Sequence, residues 1–128
     1  MDSAGALELA DIPRSLLILG GGYIAMEVGT ISAALGSRVT IAVRGDRLLR
    51  GADKDLSDVL ILRLREIFQA IHFNTQAASL KEHEEGVDVK LEGEVDKTEQ
   101  TFDRVLVAIG RKPNTEEIGL EKTSVKLN

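Results

Sequence analysis

The sequence predicts an α/β fold in which a parallel sheet with crossover helices is followed by a small antiparallel meander. Three observations predict it. A strand, helix, strand unit of about thirty residues opens on a continuous apolar run, the size and pattern of a parallel crossover. Helical periodicity then gives way, after residue 75, to alternation of apolar and polar residues. A second run that reads as buried, Arg104-Val105-Leu106-Val107-Ala108-Ile109, returns the chain to the sheet. A chain of 128 residues has the size of one compact domain. Its hydrophobic content of 43%, with one Tyr, three Phe and no Trp, calls for an aliphatic core.

Each element has its own signal. Ser15-Leu16-Leu17-Ile18-Leu19 is a strand buried on both faces, and it stops at Gly20-Gly21-Gly22. Ile24, Ala25, Val28, Ile31, Ser32 and Leu35 recur at helical spacing, and Gly36 stands where a helix end takes a left-handed residue. Val39-Thr40-Ile41-Ala42-Val43 is the second strand. A polar loop over residues 44–52 leads to Asp53, a candidate helix cap, and Leu56, Val59, Leu60, Leu64, Ile67 and Phe68 mark the second helix. Ala70-Ile71-His72-Phe73 reads as a third parallel strand. From Gln76 to Phe102 no further amphipathic helix follows, and Val87-Asp88-Val89-Lys90-Leu91-Glu92 alternates as an antiparallel strand with one wet face does. The organisation expected is a lead-in segment at 1–12, one domain at 13–114 and an exit segment at 115–128.

Composition narrows the function classes. A formal charge of −5 disfavours a partner held by nucleic-acid phosphates. With no cysteine, the chain holds neither a disulfide framework nor a redox-active Cys pair. Its apolar runs are too short and too interrupted by Gly to cross a bilayer, and no basic region precedes an apolar stretch at the start, so a cytoplasmic protein is expected. Asp2-Ser3-Ala4-Gly5 reads like chain interior, and the sequence looks like a piece cut from a longer protein.

Gly20-x-Gly22-x-x-Ala25 follows a strand and opens a helix, the context of a dinucleotide-binding fingerprint. Gly20 permits the tight turn, Gly22 removes the Cβ that would strike a pyrophosphate, and Ala25 lets the helix pack closely on the strands. Exposed backbone N–H groups at the positive helix end then face the phosphates. The acid that usually ends the second strand and binds the ribose 2′-hydroxyl is missing: Val43 stands there, followed by Arg44. Arg44, Arg47 and Arg50 put three cations in the loop, which favours NADP(H) over NAD(H), with Asp46 among them.

These residues resemble the nicotinamide-nucleotide domain of the pyridine nucleotide-disulfide oxidoreductases, the group that contains dihydrolipoamide dehydrogenase, glutathione reductase and mercuric reductase. The likeness covers essentially the whole chain. It rests on Asp2-Ser3-Ala4-Gly5-Ala6-Leu7, Gly20-Gly21-Gly22-Tyr23-Ile24-Ala25-Met26-Glu27, Ala34-Leu35-Gly36-Ser37, Asp53-Lys54-Asp55-Leu56 and Val107-Ala108-Ile109-Gly110-Arg111-Lys112-Pro113-Asn114. The first and fourth segments are most similar to dihydrolipoamide dehydrogenase. Tyr23-Ile24-Ala25 with Arg44 and Arg50 resembles glutathione reductase, whose relatives use NADPH, and Val43 departs from the pattern of the NAD-using enzymes.

The resemblance implies a Rossmann-like NAD(P)-binding domain, a parallel sheet with helices on both sides and a three-stranded antiparallel β-meander in place of a second crossover helix. It implies a coenzyme site made by Gly20, Gly21, Gly22, Tyr23, Ile24, Ala25, Glu27, Val43, Arg44, Arg50, Ala77 and Gly110. Gly20 and Gly22 approach the pyrophosphate, Glu27 meets the nicotinamide carboxamide, and Tyr23 swings between covering a flavin and admitting the nicotinamide. Ala77 lies near the adenine, Gly110 near the nicotinamide side, and Arg44 and Arg50 grip the 2′-phosphate.

The parent enzyme implied is an FAD-dependent disulfide reductase and a homodimer, in which hydride passes between nicotinamide and flavin and electrons exchange with a Cys pair. The Cys pair, the flavin-phosphate loop and the dimer-forming region lie outside this sequence, so no catalytic residue is assigned and the isolated domain is not expected to turn over. Its partners are the dinucleotide and the FAD domain of the same parent chain, with no nucleic acid and no membrane. Two rivals come from other classes. A nucleotide-sensing regulatory domain keeps the acid after the second strand and continues with alternating helices and strands; a nucleotide-sugar or S-adenosylmethionine enzyme gives no reason for the segment from Gly110 to Asn114. His72 reads as a packed strand residue, His83 as part of a polar turn with Glu82, Glu84 and Glu85, and Lys54 and Lys112 as surface charges; no metal site is expected.

Overall fold

Apolar runs that alternate faces need two coverings, and the computed structural model shows both. It describes residues 1–8, 11–113 and 118–126. The elements are α1 (Ser3–Leu7), β1 (Ser15–Leu19), α2 (Tyr23–Ala34), β2 (Arg38–Ala42), α3 (Lys54–Ile67), β3 (Ala70–His72), β4 (Thr75–His83), β5 (Gly86–Gly93), β6 (Glu99–Phe102) and β7 (Arg104–Val107), with a short 3-10 turn at Leu120–Lys122. A four-stranded sheet has the order β3-β2-β1-β7, and β4-β5-β6 form a three-stranded meander. All pairings in the first sheet are parallel, with Leu17 opposite Thr40 on one side and Val105 on the other. Those in the meander are antiparallel, with an irregularity between Ala77 and Ser79.

Strand parity sorts the core into two layers, since successive side chains point to opposite faces. Leu16, Ile18, Val39, Ile41, Val43 and Leu106 pack with Ala25 and Met26 of α2, Leu64 of α3, Phe68 and Ala6 of α1. On the other face Leu17, Leu19, Ala42 and Val105 pack with Val89, Leu91 and Phe102 of the meander. The α/β class and the three-stranded meander stand as expected, but the expectation of helices on both sides is corrected in one respect. Both core layers are filled, and the face opposite α2 and α3 is covered by the meander.

Local signals explain the helix ends. Gly36 has φ +104°, its N–H donates to Ala33 O at 3.0 Å, and the next N–H, of Ser37, donates to Ser32 O at 2.9 Å. That pair of bonds is the Schellman closure that a left-handed glycine permits. Asp53 occupies the cap position of α3, yet its side chain makes no cap hydrogen bond. The lead-in segment, for which no element was expected, contains α1, capped by Asp2, whose carboxylate accepts the Gly5 N–H at 2.9 Å. Five residues give too little periodicity to announce a helix. Asn114 and part of the exit segment at 115–128 lie outside the described residues.

Candidate functional site

The chain builds the sheet outward from β1 to β2 to β3 and then places β7 on the other flank of β1. β1 therefore borders the point where the strand order reverses, and the loop leaving its carboxyl end opens into the crevice where such sheets bind ligands. Residues 20–22 form that loop.

Its three glycines meet different surroundings. Gly20 has φ +131° and donates its N–H to Ala42 O at 3.0 Å. A Cβ there would collide with the backbone carbonyl of Ala108 just beyond β7. A Cβ at Gly21 would stand 2.7 Å from Val43 Cγ1, and the Gly21 carbonyl accepts the Leu49 N–H at 2.8 Å. Gly22 differs from both, because nothing lies within 4 Å of the place a Cβ would occupy. It is the N-cap of α2, with extended backbone and no side-chain cap, and no acidic residue sits in the first turn.

Met26 N–H is the first in the helix to reach an intrahelical acceptor, Gly22 O at 3.2 Å. The amides of Gly22, Tyr23, Ile24 and Ala25 are thus the orphan donors that every helix start leaves. Open space over uncapped donors at the positive end of a twelve-residue helix is an anion-accepting arrangement. Ala25 is fully buried against the strands.

Tyr23 is 49% exposed, and the Arg111 guanidinium lies 5.1 Å from its ring centroid. Glu27, also exposed, is one helical turn along from Tyr23 and so shares its side of α2. Gly110, three residues beyond β7, is exposed with open space around it. Arg111 was assigned no role of its own from the sequence; a cation four residues past a buried strand shows its aromatic partner only once the fold is formed.

The end of β2 is tied to the same bend. Val43 is buried, donates its N–H to His72 O at 2.8 Å and accepts the Thr75 N–H at 2.9 Å. Through Leu48, fully buried in the helix-side core, and the Leu49 N–H to Gly21 O bond, the arginine loop is anchored directly beside the glycines. Within it the three arginines differ. Arg47 Nη2 donates to Arg50 O at 2.8 Å. Arg50 Nη2 lies 3.7 Å from Asp46 Oδ1, and its guanidinium covers Gly45, where a Cβ would be 2.6 Å from Nη2. Arg44 is exposed and has no ion-pair partner among the described residues. Ala77 follows Thr75 by two residues on β4, half-buried against the meander-side core.

The structure therefore gathers residues 20–25, Val43, the arginine loop and Gly110 along the carboxyl edge of the sheet, with Tyr23 and Glu27 on one side of α2. The histidines stand elsewhere. His72 is half-buried in β3. His83 is the last residue of β4, not part of the turn itself; its Nδ1 accepts the Glu85 N–H at 3.3 Å and its Nε2 faces Asp88 Oδ1 at 3.2 Å. The Thr101 hydroxyl, donating to Asp88 at 2.7 Å, and then His83 hold the Asp88 carboxyl below its ordinary pKa. That cluster braces the meander near Arg14 and Asp103, at the amino end of the sheet, away from the glycines. Lys54 pairs with Asp58 at 2.6 Å one helical turn away. Among the described residues no helix is long and apolar enough to cross a membrane, and no group of three or more His, Asp or Glu could hold a metal.

Comparison with known proteins places this geometry. The model of the family described as "Pyridine nucleotide-disulphide oxidoreductase" matches residues 1–128. Dihydrolipoyl dehydrogenase of Geobacillus stearothermophilus is 39% identical over 127 residues, which is 99% of this chain and 27% of that protein. Dihydrolipoyl dehydrogenase of Buchnera aphidicola is 41% identical over 129 residues, again 99% and 27%. Among solved structures, the HOCl-induced flavoprotein disulfide reductase RclA from Escherichia coli superposes with a TM-score of 0.83 at 34% identity, covering 100% of this chain and 28% of that one. LpdA from Mycobacterium tuberculosis does so with a TM-score of 0.76 at 29% identity, covering 94% and 26%. The chain spans about a quarter of the length of these relatives. A match along the whole sequence, joined to an α/β fold with a meander and a glycine bend at the reversal of strand order, makes this chain a member of the pyridine nucleotide-disulphide oxidoreductase family.

Proposed function

We propose that the chain is the NAD(P)(H)-binding part of an FAD-dependent disulfide oxidoreductase of the dihydrolipoyl dehydrogenase kind, a cytoplasmic homodimer whose flavin is held mainly by residues outside this sequence. One observation carries the reading: the empty space over Gly22, above the uncapped amides of α2, at the reversal of strand order. A pyrophosphate needs donors without competing side chains and a positive helix end, and residues 22–25 offer both. Bound NAD(P)H supplies the hydride; the residues of this chain bind and orient it. Gly20 and Gly21 keep the bend flat against β7 and β2, while Tyr23, Glu27 and Gly110 border the nicotinamide side and Ala77 the adenine side.

NADP(H) is the coenzyme this site favours. Val43 presents no carboxylate to a ribose 2′-hydroxyl, and Arg44 stands beside it, exposed and without an ion-pair partner among the described residues, which favours a 2′-phosphate. That cation also supports the second reading, a domain of the glutathione or mercuric reductase type. Calorimetric titration with NADPH and NADH tests the preference. NADPH binds more tightly, and Arg44→Glu removes that advantage at a cost of about 1.5–3 kcal/mol, the worth of one charge-assisted contact. Equal affinity for the two coenzymes contradicts the assignment.

A further inference from the structure

Resting on the reading just given, we propose that Asp46 is a specificity-determining residue: it holds Arg50 as an internal counter-ion that the 2′-phosphate of the coenzyme must displace. The two arginines expected to meet that phosphate are not equivalent. Arg44 is open, whereas Arg50 is folded back across the bare Cα of Gly45 with its Nη2 3.7 Å from Asp46 Oδ1. Gly45 makes this fold possible, because a Cβ there would sit 2.6 Å from Nη2 and push the guanidinium off the loop. Arg47 adds a second restraint by donating to Arg50 O at 2.8 Å, so the backbone under Arg50 is held as well.

The chemistry follows from these positions. A carboxylate and a phosphate compete for the same fork of N–H donors. The Asp46 and Arg50 side chains are 76% and 71% exposed, so the pair is water-screened and yields to a stronger anion. Arg44 would make the first contact with a 2′-phosphate, and Arg50 would join after leaving Asp46. A ligand without the 2′-phosphate gives Arg50 no reason to move. Asp46 thus lowers affinity selectively for 2′-phosphorylated ligands and narrows the gap between the two coenzymes.

The test uses 2′,5′-ADP and 5′-AMP, which share the adenosine and differ in the 2′-phosphate, titrated calorimetrically into the 128-residue chain, Asp46→Asn, Arg50→Ala and the double variant, with thermal melting to confirm folding. Asp46→Asn is expected to tighten 2′,5′-ADP by roughly two- to fivefold, the range of an exposed ion pair, and to leave 5′-AMP unchanged. In the Arg50→Ala background the gain is expected to vanish. A gain that persists there shows plain charge repulsion from Asp46 and overturns the proposal, as does equal tightening of both ligands or no change in either. If the unsubstituted chain binds both equally, the arginine assignment fails and takes the proposal with it; if it binds neither, the glycine site itself fails.

Discussion

Two glycines two residues apart separate what folding requires from what a ligand requires. Gly20 combines φ +131° with backbone of Ala108 where a Cβ would go, so Gly20→Ala adds a strained conformation to a collision that no side-chain rotation relieves. A loss of at least about 2 kcal/mol is expected in denaturant unfolding. Gly22 has ordinary extended backbone and free space around it. Serine is a preferred N-cap, so Gly22→Ser is expected to keep stability within about 0.5 kcal/mol of the unsubstituted chain, while its hydroxyl occupies the proposed phosphate position. The sequence assigned both glycines correctly to one bend. It did not show that Gly20 lies against the backbone of Ala108, just beyond β7 and nearly ninety residues later, because that neighbour exists only in the folded sheet.

At the scale of elements, the strand starts are tied by Asp103. Its carboxylate accepts the Arg14 N–H at 2.8 Å and faces Arg14 Nε at 3.4 Å, while its own N–H donates to Ser15 Oγ at 2.9 Å, linking the entrances of β1 and β7. Partial desolvation pushes the Asp103 carboxyl up, but the Arg14 and Ser15 amides and the Arg14 guanidinium outweigh it and hold the pKa below the ordinary 3.8. A carboxyl lowered in the folded state stabilises the protein fully above its unfolded pKa and loses that contribution as pH falls through the folded one. Thermal melting between pH 5 and pH 2 should therefore show a drop below about pH 4 that Asp103→Asn makes shallower. An unchanged slope would exclude Asp103 as a contributor. The parallel strands were legible as apolar runs, β5 by its alternation and the long helices by periodicity over many residues, and Gly36 marked an end through its own backbone. α1 was not, since five residues show no period, and the cap bond expected of Asp53 is absent because residue type marks a position without aiming the side chain.

For the whole molecule, the meander is part of the same core as the parallel sheet, with Leu91 fully buried beside Leu17, Leu19 and Val105. Leu91→Ala is expected to cost about 2–5 kcal/mol and to lower one cooperative melting transition; a separate early transition for the meander would show that the layers fold independently. Which face the meander covers was not legible, because runs such as Leu16-Leu17-Ile18 are apolar on both sides and say nothing of what covers each. Likewise the arginine count pointed to a 2′-phosphate, but the division between an open Arg44 and an Arg50 held by Asp46 depends on loop geometry that composition does not carry. The proposed coenzyme site depends on the amides at the start of α2 holding a pyrophosphate. The most direct measurement is calorimetric titration of NADPH into the chain and into Gly22→Ser, both verified as folded by thermal melting. Saturable binding by the first and none by the second is the predicted result; equal binding by both, or no binding by the first, contradicts it.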